Sequence, residues 1–266
     1  VTRMSSSTPT HGAVALITGG AHGLGRATCM ALAQRNVNLV IADIDAAATK
    51  ETAVACRQSG VVVHCLQTDL ANAEGPSDMI NQTLAVCERL DILVNNAAYA
   101  IAEPFLDMTA TEWDRVYALN IRAVALATAT GGRVMCQQGG GRIINITSPA
   151  SRMALPNYTA YAASKAAVDA ITRAGALAMA AKGVRVNSVA PGMMDTALQN
   201  KSERELLAID GRDDLDTYLD ERTARIPVGH RISTADVAAA VVYLALDAPE
   251  YVTAERMNIS GGLDRD

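Results

Sequence analysis

Six apolar runs of strand length, separated by longer alanine-rich segments, constrain the fold of this chain more than any other feature. The runs are AVALITG, VNLVIAD, VVVHCL, DILVNNA, GRIINITS and VRVNSVAPG. They are rich in β-branched residues and end near Gly, Asn, Asp or Ser, as fully buried parallel strands do. The segments between them carry apolar residues at helical spacing. This alternation predicts an α/β fold: a Rossmann-type doubly wound parallel sheet with helices on both faces.

The domain organisation follows from length and from the distribution of charge. The chain has 266 residues, half of them hydrophobic, and no internal repeat or low-complexity linker divides it. This is enough for one large α/β core. We therefore predict a flexible N-terminal tail over residues 1–12 and a single domain over 13–266. Residues 200–226 hold 13 charged side chains out of 27, which predicts a solvated helical flap over the substrate cleft, at about 193–226.

Charge, hydropathy and cysteine usage argue against several classes of protein. The formal net charge is -5 without a basic tract, which disfavours a nucleic-acid surface. The longest apolar stretches are interrupted within about a dozen residues, so no membrane partner is expected. The opening VTRMSSSTPTHG lacks the apolar core of a signal peptide, and Met4 is a second candidate for the natural start. Five scattered cysteines fit reduced, buried thiols better than disulfides or metal ligands. We expect a cytoplasmic protein without a metal.

A glycine-rich turn follows the first predicted strand and opens the first predicted helix. It is TGGAHGLG, Thr18 to Gly25, and its glycines let the backbone approach a pyrophosphate at the helix N-terminus. At the end of the second strand, Asp43 can accept hydrogen bonds from both ribose hydroxyls. Its carboxylate would repel a 2′-phosphate, and neither His22 nor Ile44 supplies a fixed positive charge. These residues predict NAD rather than NADP.

The stretch YAASK places Tyr161 and Lys165 four residues apart, on the same side of a predicted helix. This spacing also arises by chance on helix surfaces. Its meaning therefore depends on the other motifs of the chain.

Taken together, the motifs resemble those of the short-chain dehydrogenase/reductase family, and the resemblance runs from about Ala13 to Gly262. The glycine pattern matches Thr18, Gly19, Gly23 and Gly25, the strand-four signature matches NNAA at Asn95 to Ala98, and the motif after strand six matches APGMMDT, ending at Thr196. The resemblance implies four catalytic residues: Asn120, Ser148, Tyr161 and Lys165. It also implies the Rossmann-type fold and a nicotinamide cofactor.

Further residues are carried over along the carboxyl ends of the strands. The implied cofactor contacts are Gly19, His22, Gly23, Leu24, Gly25, Asp43, Ile44, Asp69, Leu70, Asn95, Ala97, Tyr161, Lys165, Pro191, Gly192, Met194 and Thr196. The expected substrate contacts are Ser148, Ala150, Asn157, Tyr161, Met193 and Asp195. Tyr158 has no lysine four residues on, so we assign it to the substrate pocket or the helix start.

The family's chemistry gives the Tyr–Lys pair a purpose. Oxidation of an alcohol removes its hydroxyl proton while hydride leaves for nicotinamide, and a phenol with a pKa of about 10 is a poor base for this. Lys165 and the positive nicotinamide ring both favour phenolate, which would lower the pKa of Tyr161. Ser148 would hold the substrate oxygen. Asn120, by the family's pattern, would kink its helix and bind a water that links Lys165 to solvent.

The sequence therefore predicts an oxidoreductase that transfers hydride between a secondary alcohol, or its ketone, and NAD(H). A polyol is the first substrate hypothesis, because the flap and the ending EYVTAERMNISGG resemble NAD-dependent sugar-alcohol dehydrogenases of the family. A cyclic or apolar secondary alcohol is the alternative. A 3-oxoacyl reductase is disfavoured, because eight acidic against five basic residues in 200–226 would repel an acyl carrier protein. A non-catalytic NAD-sensing protein is a further alternative, although such relatives typically lack a catalytic residue.

The alanine-rich helices after Glu112 and after Thr159 have more small apolar surface than one sheet can cover. The family pairs these helices in closed oligomers, so the resemblance implies a homotetramer or homodimer.

Overall fold

The structure, a computed structural model, describes residues 12–264 of the chain. Seven parallel strands form one sheet in the order β3-β2-β1-β4-β5-β6-β7. They are β1 (Val14–Thr18), β2 (Asn38–Asp43), β3 (Val63–Gln67), β4 (Ile92–Asn95), β5 (Gly141–Ile146), β6 (Val184–Pro191) and β7 (Arg256–Ile259). The predicted α/β doubly wound sheet is confirmed. Apart from Gly12, the predicted tail over residues 1–12 lies outside the described residues.

Nine α-helices accompany the sheet within residues 12–264. They are α1 (Gly23–Ala33), α2 (Ala46–Arg57), α3 (Gly75–Cys87), α4 (Ala110–Val116), α5 (Val124–Gln138), α6 (Thr159–Met179), α7 (Ala197–Ile209), α8 (Leu215–Thr223) and α9 (Thr234–Val242). None of the helices in this part of the chain is long and apolar enough to cross a membrane.

Two apolar cores lie on opposite faces of the sheet. On β1, Ala15 and Ile17 pack into the core that contains α1, α2 and α9, while Val14 and Leu16 pack into the core that contains α3, α5 and α6. Successive side chains of a strand point to opposite faces, so a strand covered on both faces is apolar throughout. This explains why the first strands appear as uninterrupted apolar runs in the sequence.

Two elements differ from the sequence-based expectation. The strand β7 was not predicted, because its sequence RMNI lies at the edge of the sheet and is not a continuous apolar run. The long helix predicted over residues 111–138 is divided into α4 and α5 by a π-helical segment, Tyr117–Ala123. Asn120 lies in this segment, and such widened turns locally change the course of a helix.

The predicted flap contains α7 and α8, but it is not solvated on all sides. Its inner face buries Ser202, Glu203, Leu207 and Tyr218. The expectation of a solvated segment, based on its many charges, is therefore wrong for this face, because a buried carboxylate is paired there.

Candidate active site

A cavity of about 950 Å³ opens at the carboxyl ends of the strands. It lies beside β1 and β4, the neighbouring strands between which the strand order changes direction. In doubly wound folds this edge is where ligands bind. Most of the predicted site residues line this cavity. They are Gly19, His22, Gly23, Leu24, Asp43, Ile44, Asp69, Leu70, Ala97, Ser148, Ala150, Asn157, Tyr161, Lys165, Pro191, Gly192, Met193, Met194, Asp195 and Thr196. The predicted residues Gly25, Asn95 and Asn120 do not line it.

The glycine turn is built against the loop that follows β4. Gly19 has a φ of +64°, and a Cβ placed on it would lie 2.9 Å from the Cα of Ala97. The side chain of Asn96 donates to the carbonyl oxygens of Thr18 (2.9 Å) and Gly19 (3.0 Å). Thr18 Oγ1 in turn accepts from the backbone N–H of Asn96 (2.9 Å) and of Ala97 (3.0 Å). Asn96 thus holds the turn in place, a role that its position in the NNAA motif did not reveal.

Gly25 allows a close approach of two backbone segments and does not line the cavity, so its predicted cofactor contact stays a prediction. A Cβ at this position would lie 1.9 Å from the carbonyl oxygen of Gly19. No side chain fits there, so Gly25 lets the start of α1 approach the turn closely. Gly23, with a φ of +50°, would place a Cβ 3.4 Å from Thr196 Cγ2. Gly23, which lines the cavity, thus keeps the start of α1 free of a side chain next to Thr196.

The carboxylate of Asp43 is fixed at the end of β2. Its Oδ2 accepts from the backbone N–H of Ala21 and its Oδ1 from that of Asp45, each at 3.0 Å. His22 pairs with Asp45 at 3.1 Å, and both side chains are largely exposed. Ile44 is also exposed. A fixed acceptor beside a glycine cradle fits the ribose and pyrophosphate of a dinucleotide.

Lys165 is a buried cation beside Tyr161. Its Nζ donates to the carbonyl oxygen of Ile146, at the end of β5, at 2.9 Å. The same Nζ lies 5.5 Å from the centroid of the Tyr161 ring. Burial lowers the pKa of Lys165 to about 8, while the negative charge of Asp169, one turn further along α6, acts in the opposite direction. The ammonium form therefore persists at neutral pH.

Tyr161 is a neutral phenol in the protein alone. Burial raises the pKa of Tyr161 to about 12, and a hydrogen bond with Ser148 lowers it in part. The expectation that Lys165 and the nicotinamide ring together lower this pKa stays a prediction, because in the protein alone the loss of solvation by the phenolate is the largest effect. A further positive charge beside the ring is needed to favour the phenolate.

The turn that carries Ser148 is anchored by a buried cluster that the sequence analysis missed. Ser148 Oγ accepts from the backbone N–H of Ala150 at 3.2 Å, and its carbonyl oxygen accepts from Arg256 Nη2 at 3.0 Å. Arg256, on β7, also pairs with Asp264 and, at 3.5 Å, with Asp169. No local pattern indicates this cluster, since its members are up to 95 residues apart in the chain.

Asn95 and Asn120 hydrogen-bond to the framework around the cavity. Asn95 donates to Asn145 Oδ1 (2.8 Å) and to Thr128 Oγ1 (3.1 Å), and its predicted place on the cofactor floor stays a prediction. Asn120 accepts from the backbone N–H of Tyr99 and donates to its carbonyl oxygen, each at 2.8 Å. It also donates to Ser164 Oγ at 3.0 Å. The proton relay through Asn120 stays a prediction.

The segment predicted to form a flap contributes side chains to the lining of the cavity. Tyr158 stacks against Tyr161 with a centroid separation of 4.7 Å, and its hydroxyl hydrogen-bonds to Ser202 Oγ on α7 at 2.9 Å. The cavity is also lined by four residues that were not predicted from the sequence: Asp210, Tyr218, Arg222 and Arg225. They lie in a dense run of charged residues, and such a run normally indicates a solvated surface.

The burial of Lys165 predicts a pH-dependent gain in stability when its charge is removed. Replacement of Lys165 by Met should raise the free energy of unfolding by about 3 kcal/mol at pH 7, because the wild-type protein holds an ammonium whose pKa is lowered from 10.5 to about 8. Unfolding returns the Lys165 ammonium to water. The loss of wild-type stability caused by its burial is therefore complete below pH 8 and disappears as the pH approaches 10.5. Denaturant unfolding at several pH values measures the difference. A Lys165→Met variant that is less stable than wild type at pH 7 would contradict the account.

Comparison with known proteins places these features in a family. A sequence profile described as short chain dehydrogenase matches residues 13–206. The chain is 34% identical to a 3-oxoacyl-[acyl-carrier-protein] reductase of Synechocystis sp., over 94% of this chain and 96% of that protein. It is 32% identical to a cis-4-hydroxycyclohexanecarboxylate dehydrogenase of Sinomonas cyclohexanicum, over 94% and 95% of the two chains.

A solved structure agrees with the sequence comparisons. The structure of an NAD+-bound xylitol dehydrogenase superimposes with a TM-score of 0.91 at 25% identity, over 95% of this chain and 99% of that one. The profile covers more than two thirds of the chain, and the relatives match over nearly the whole of their own lengths. The chain therefore belongs to the short chain dehydrogenases, oxidoreductases that use nicotinamide cofactors.

Proposed function

We propose that this protein transfers hydride between a secondary alcohol, or its ketone, and NAD(H). The observation that carries the proposal is the grouping of Ser148, Tyr161 and Lys165 in one cavity with the glycine turn and Asp43. A bound nicotinamide would accept the hydride from the carbinol carbon. Ser148 and Tyr161 would bind the hydroxyl oxygen, which positions the same carbon for transfer.

Proton transfer is the task of the buried residues. In the oxidation direction Tyr161 takes the hydroxyl proton of the alcohol, so the phenol must first lose its own proton. Because the pKa of Tyr161 is about 12 in the protein alone, the phenol loses its proton near neutral pH only when positive charges lie close to it. Lys165 supplies one such charge and the oxidised nicotinamide ring the other. In the reduction direction Tyr161 returns the proton to the ketone oxygen.

The preference for NAD is supported by the surroundings of Asp43. Its carboxylate is held toward the cavity and would repel a 2′-phosphate. Among the described residues, the lysines and arginines that line the cavity are Lys165, Arg222 and Arg225. These come from α6, α8 and the residues just after α8, whereas Asp43 is the last residue of β2.

Two kinds of alcohol are the candidate substrates. The polyol hypothesis is supported by polar groups along the cavity, including Asn157, Tyr158 and Gln199. A cyclic alcohol is supported by an apolar wall and by the relative that acts on cis-4-hydroxycyclohexanecarboxylate. The wall consists of Met153, Leu155, Met193, Met194, Leu198, Leu206 and Leu263.

Organisation and partners complete the proposal. Residues 13–266 act as one domain, in which 193–226 cover the substrate as a flap. The small-molecule substrate is the principal partner, and the chain associates as a homotetramer or homodimer. Association is supported by Leu126 on α5 and Leu177 on α6, large apolar side chains that are exposed in the single chain. A cytoplasmic location fits the five free thiols.

Steady-state NADH formation tests the proposed reaction. Purified protein should reduce NAD with at least one member of a panel of sugar alcohols, cyclic alcohols and simple secondary alcohols. Tyr161→Phe should lower this rate at least a hundredfold, because phenylalanine has no proton to transfer, while NAD binding stays within a few fold. Tyr158→Phe is the matched control for losing a buried hydroxyl. Undiminished turnover by Tyr161→Phe would refute the proposed role of Tyr161. NAD binding by the wild-type protein without turnover of any alcohol in the panel would favour a sensing role.

Cofactor choice is tested at Asp43. Asp43→Asn keeps an acceptor for the N–H of Ala21 but removes the negative charge. We expect the kcat/KM for NAD to fall roughly tenfold to a hundredfold, because hydrogen bonds to a charged acceptor are stronger, and the kcat/KM for NADP to rise. Asp45→Asn is the control, because this exposed carboxylate does not line the cavity. Equal effects of the two variants on the NAD to NADP ratio would refute the assignment.

A further inference from the structure

A buried carboxylate organises the flap side of the cavity. Glu203, on α7, is completely buried, and its Oε1 accepts from Gln199 Nε2 at 2.6 Å. Its Oε2 pairs with Arg222 Nε, on α8, at 2.5 Å. A carboxylate withdrawn from water is stable only when it is paired. Glu203 therefore fixes the positions of two side chains, Gln199 and Arg222, both of which line the cavity.

The guanidinium of Arg222 is held on one edge and free on the other. Its Nε is engaged by Glu203, and its Cζ lies 5.7 Å from the centroid of the Tyr218 ring. Neither Nη1 nor Nη2 makes a hydrogen bond or ion pair with any residue in the described range 12–264. The side chain is 27% exposed and lines the cavity. A restrained guanidinium with free N–H groups can bind both oxygens of a carboxylate.

Within the described residues, the other charged side chains that line this side of the cavity are Asp195, Asp210 and Arg225. The carboxylates of Asp195 and Asp210 line the cavity, but Asp195 accepts from Asn200 Nδ2 at 2.9 Å and Asp210 from the Tyr218 hydroxyl at 3.2 Å. Arg225 also lines the cavity, and within residues 12–264 its side chain has no ion-pair partner. The side chains on the flap that have N–H donors available for a ligand are therefore positively charged.

We propose that the substrate carries a carboxylate in addition to its reacting hydroxyl or keto group, and that Arg222 binds this carboxylate. The substrate class is then a hydroxy acid and the corresponding keto acid, on either a cyclic or a polyol skeleton. This inference rests on the proposed function for the position of the reacting carbon. Glu203 and Gln199 are positioning residues that keep Arg222 aimed into the cavity.

Matched acid and amide probes test the proposal. The pairs are 4-hydroxycyclohexanecarboxylate with its amide and gluconate with gluconamide, so that size is kept while the charge is removed. We expect the wild-type protein with NAD to favour at least one acid over its amide by roughly tenfold to a hundredfold in kcat/KM, because a charged pair in a partly desolvated site is strong. No preference for the acid in either pair would overturn the inference.

Two sets of variants separate recognition from folding. Arg222→Met should abolish the preference for the acid, measured as the ratio of the kcat/KM values for acid and amide within the same variant. Because this variant leaves Glu203 buried and unpaired, Arg222→Lys and the double variant Glu203→Gln with Arg222→Met are measured as well. The lysine keeps a charge for Glu203 but presents a single ammonium, so we expect a reduced preference. The double variant removes both charges and should show no preference.

Arg212→Met is the matched control. Arg212 also lies over the Tyr218 ring, at 5.1 Å, but it pairs with Glu221 and does not line the cavity. Its replacement should leave the acid preference unchanged. An equal loss of preference in Arg212→Met and Arg222→Met would overturn the inference.

Binding of cyclohexanecarboxylate and of cyclohexanecarboxamide to the NAD complex, by calorimetry, gives a readout independent of turnover. Tighter binding of the acid that depends on Arg222 supports the site even if no alcohol is oxidised, in which case the proposed function alone fails. Turnover of neutral alcohols together with equal binding of acid and amide would instead remove only this inference.

Discussion

The burial of the Lys165 ammonium is the constraint on which the rest of the site depends. A cation removed from water needs acceptors and nearby negative charge. Lys165 has the Ile146 carbonyl oxygen at 2.9 Å, and Asp169 one turn away on the same helix. Thr147 Oγ1 donates to the Lys165 carbonyl oxygen at 3.1 Å, which joins α6 to the end of β5. The helix that carries Tyr161 is thereby placed over the carboxyl edge of the sheet, next to Ser148.

The flap is coupled to this centre through direct contacts. The ring of Tyr158 packs on Tyr161, and its hydroxyl bonds to Ser202, the neighbour of Glu203 on α7. Glu203 holds Arg222 on α8. A substrate that engages Arg222 would thus contact α8, which Glu203 links to α7, and α7 contacts Tyr158 through Ser202. Under the proposed function, this chain of contacts would let binding energy help to orient the reacting groups.

The fold could be predicted from the sequence, and the candidate catalytic residues could be located in it, because their signals are local. Strands buried on both faces are continuous apolar runs, and Tyr161 and Lys165 are one helical turn apart. The edge strand β7 lacked such a run, with Arg256 and Asn258 among its four residues. Glu203 and Arg222 were counted as solvated charges. They are 19 residues apart in the sequence, so their ion pair can be recognised only in the structure, where α7 packs against α8. The raised pKa of Tyr161 likewise depends on tertiary burial, which spacing along a helix does not reveal.

The central claim is that Tyr161 ionises only when the positive charge of oxidised nicotinamide is added to that of Lys165. Ultraviolet difference titration of wild type against Tyr161→Phe, with and without NAD, measures the ionisation of this one phenol. Without NAD, we expect no signal from Tyr161 up to about pH 10, because burial raises its pKa to about 12. With NAD, the signal should appear at least about one pH unit lower than in its absence. Ionisation of Tyr161 over the same pH range with and without NAD would contradict the account.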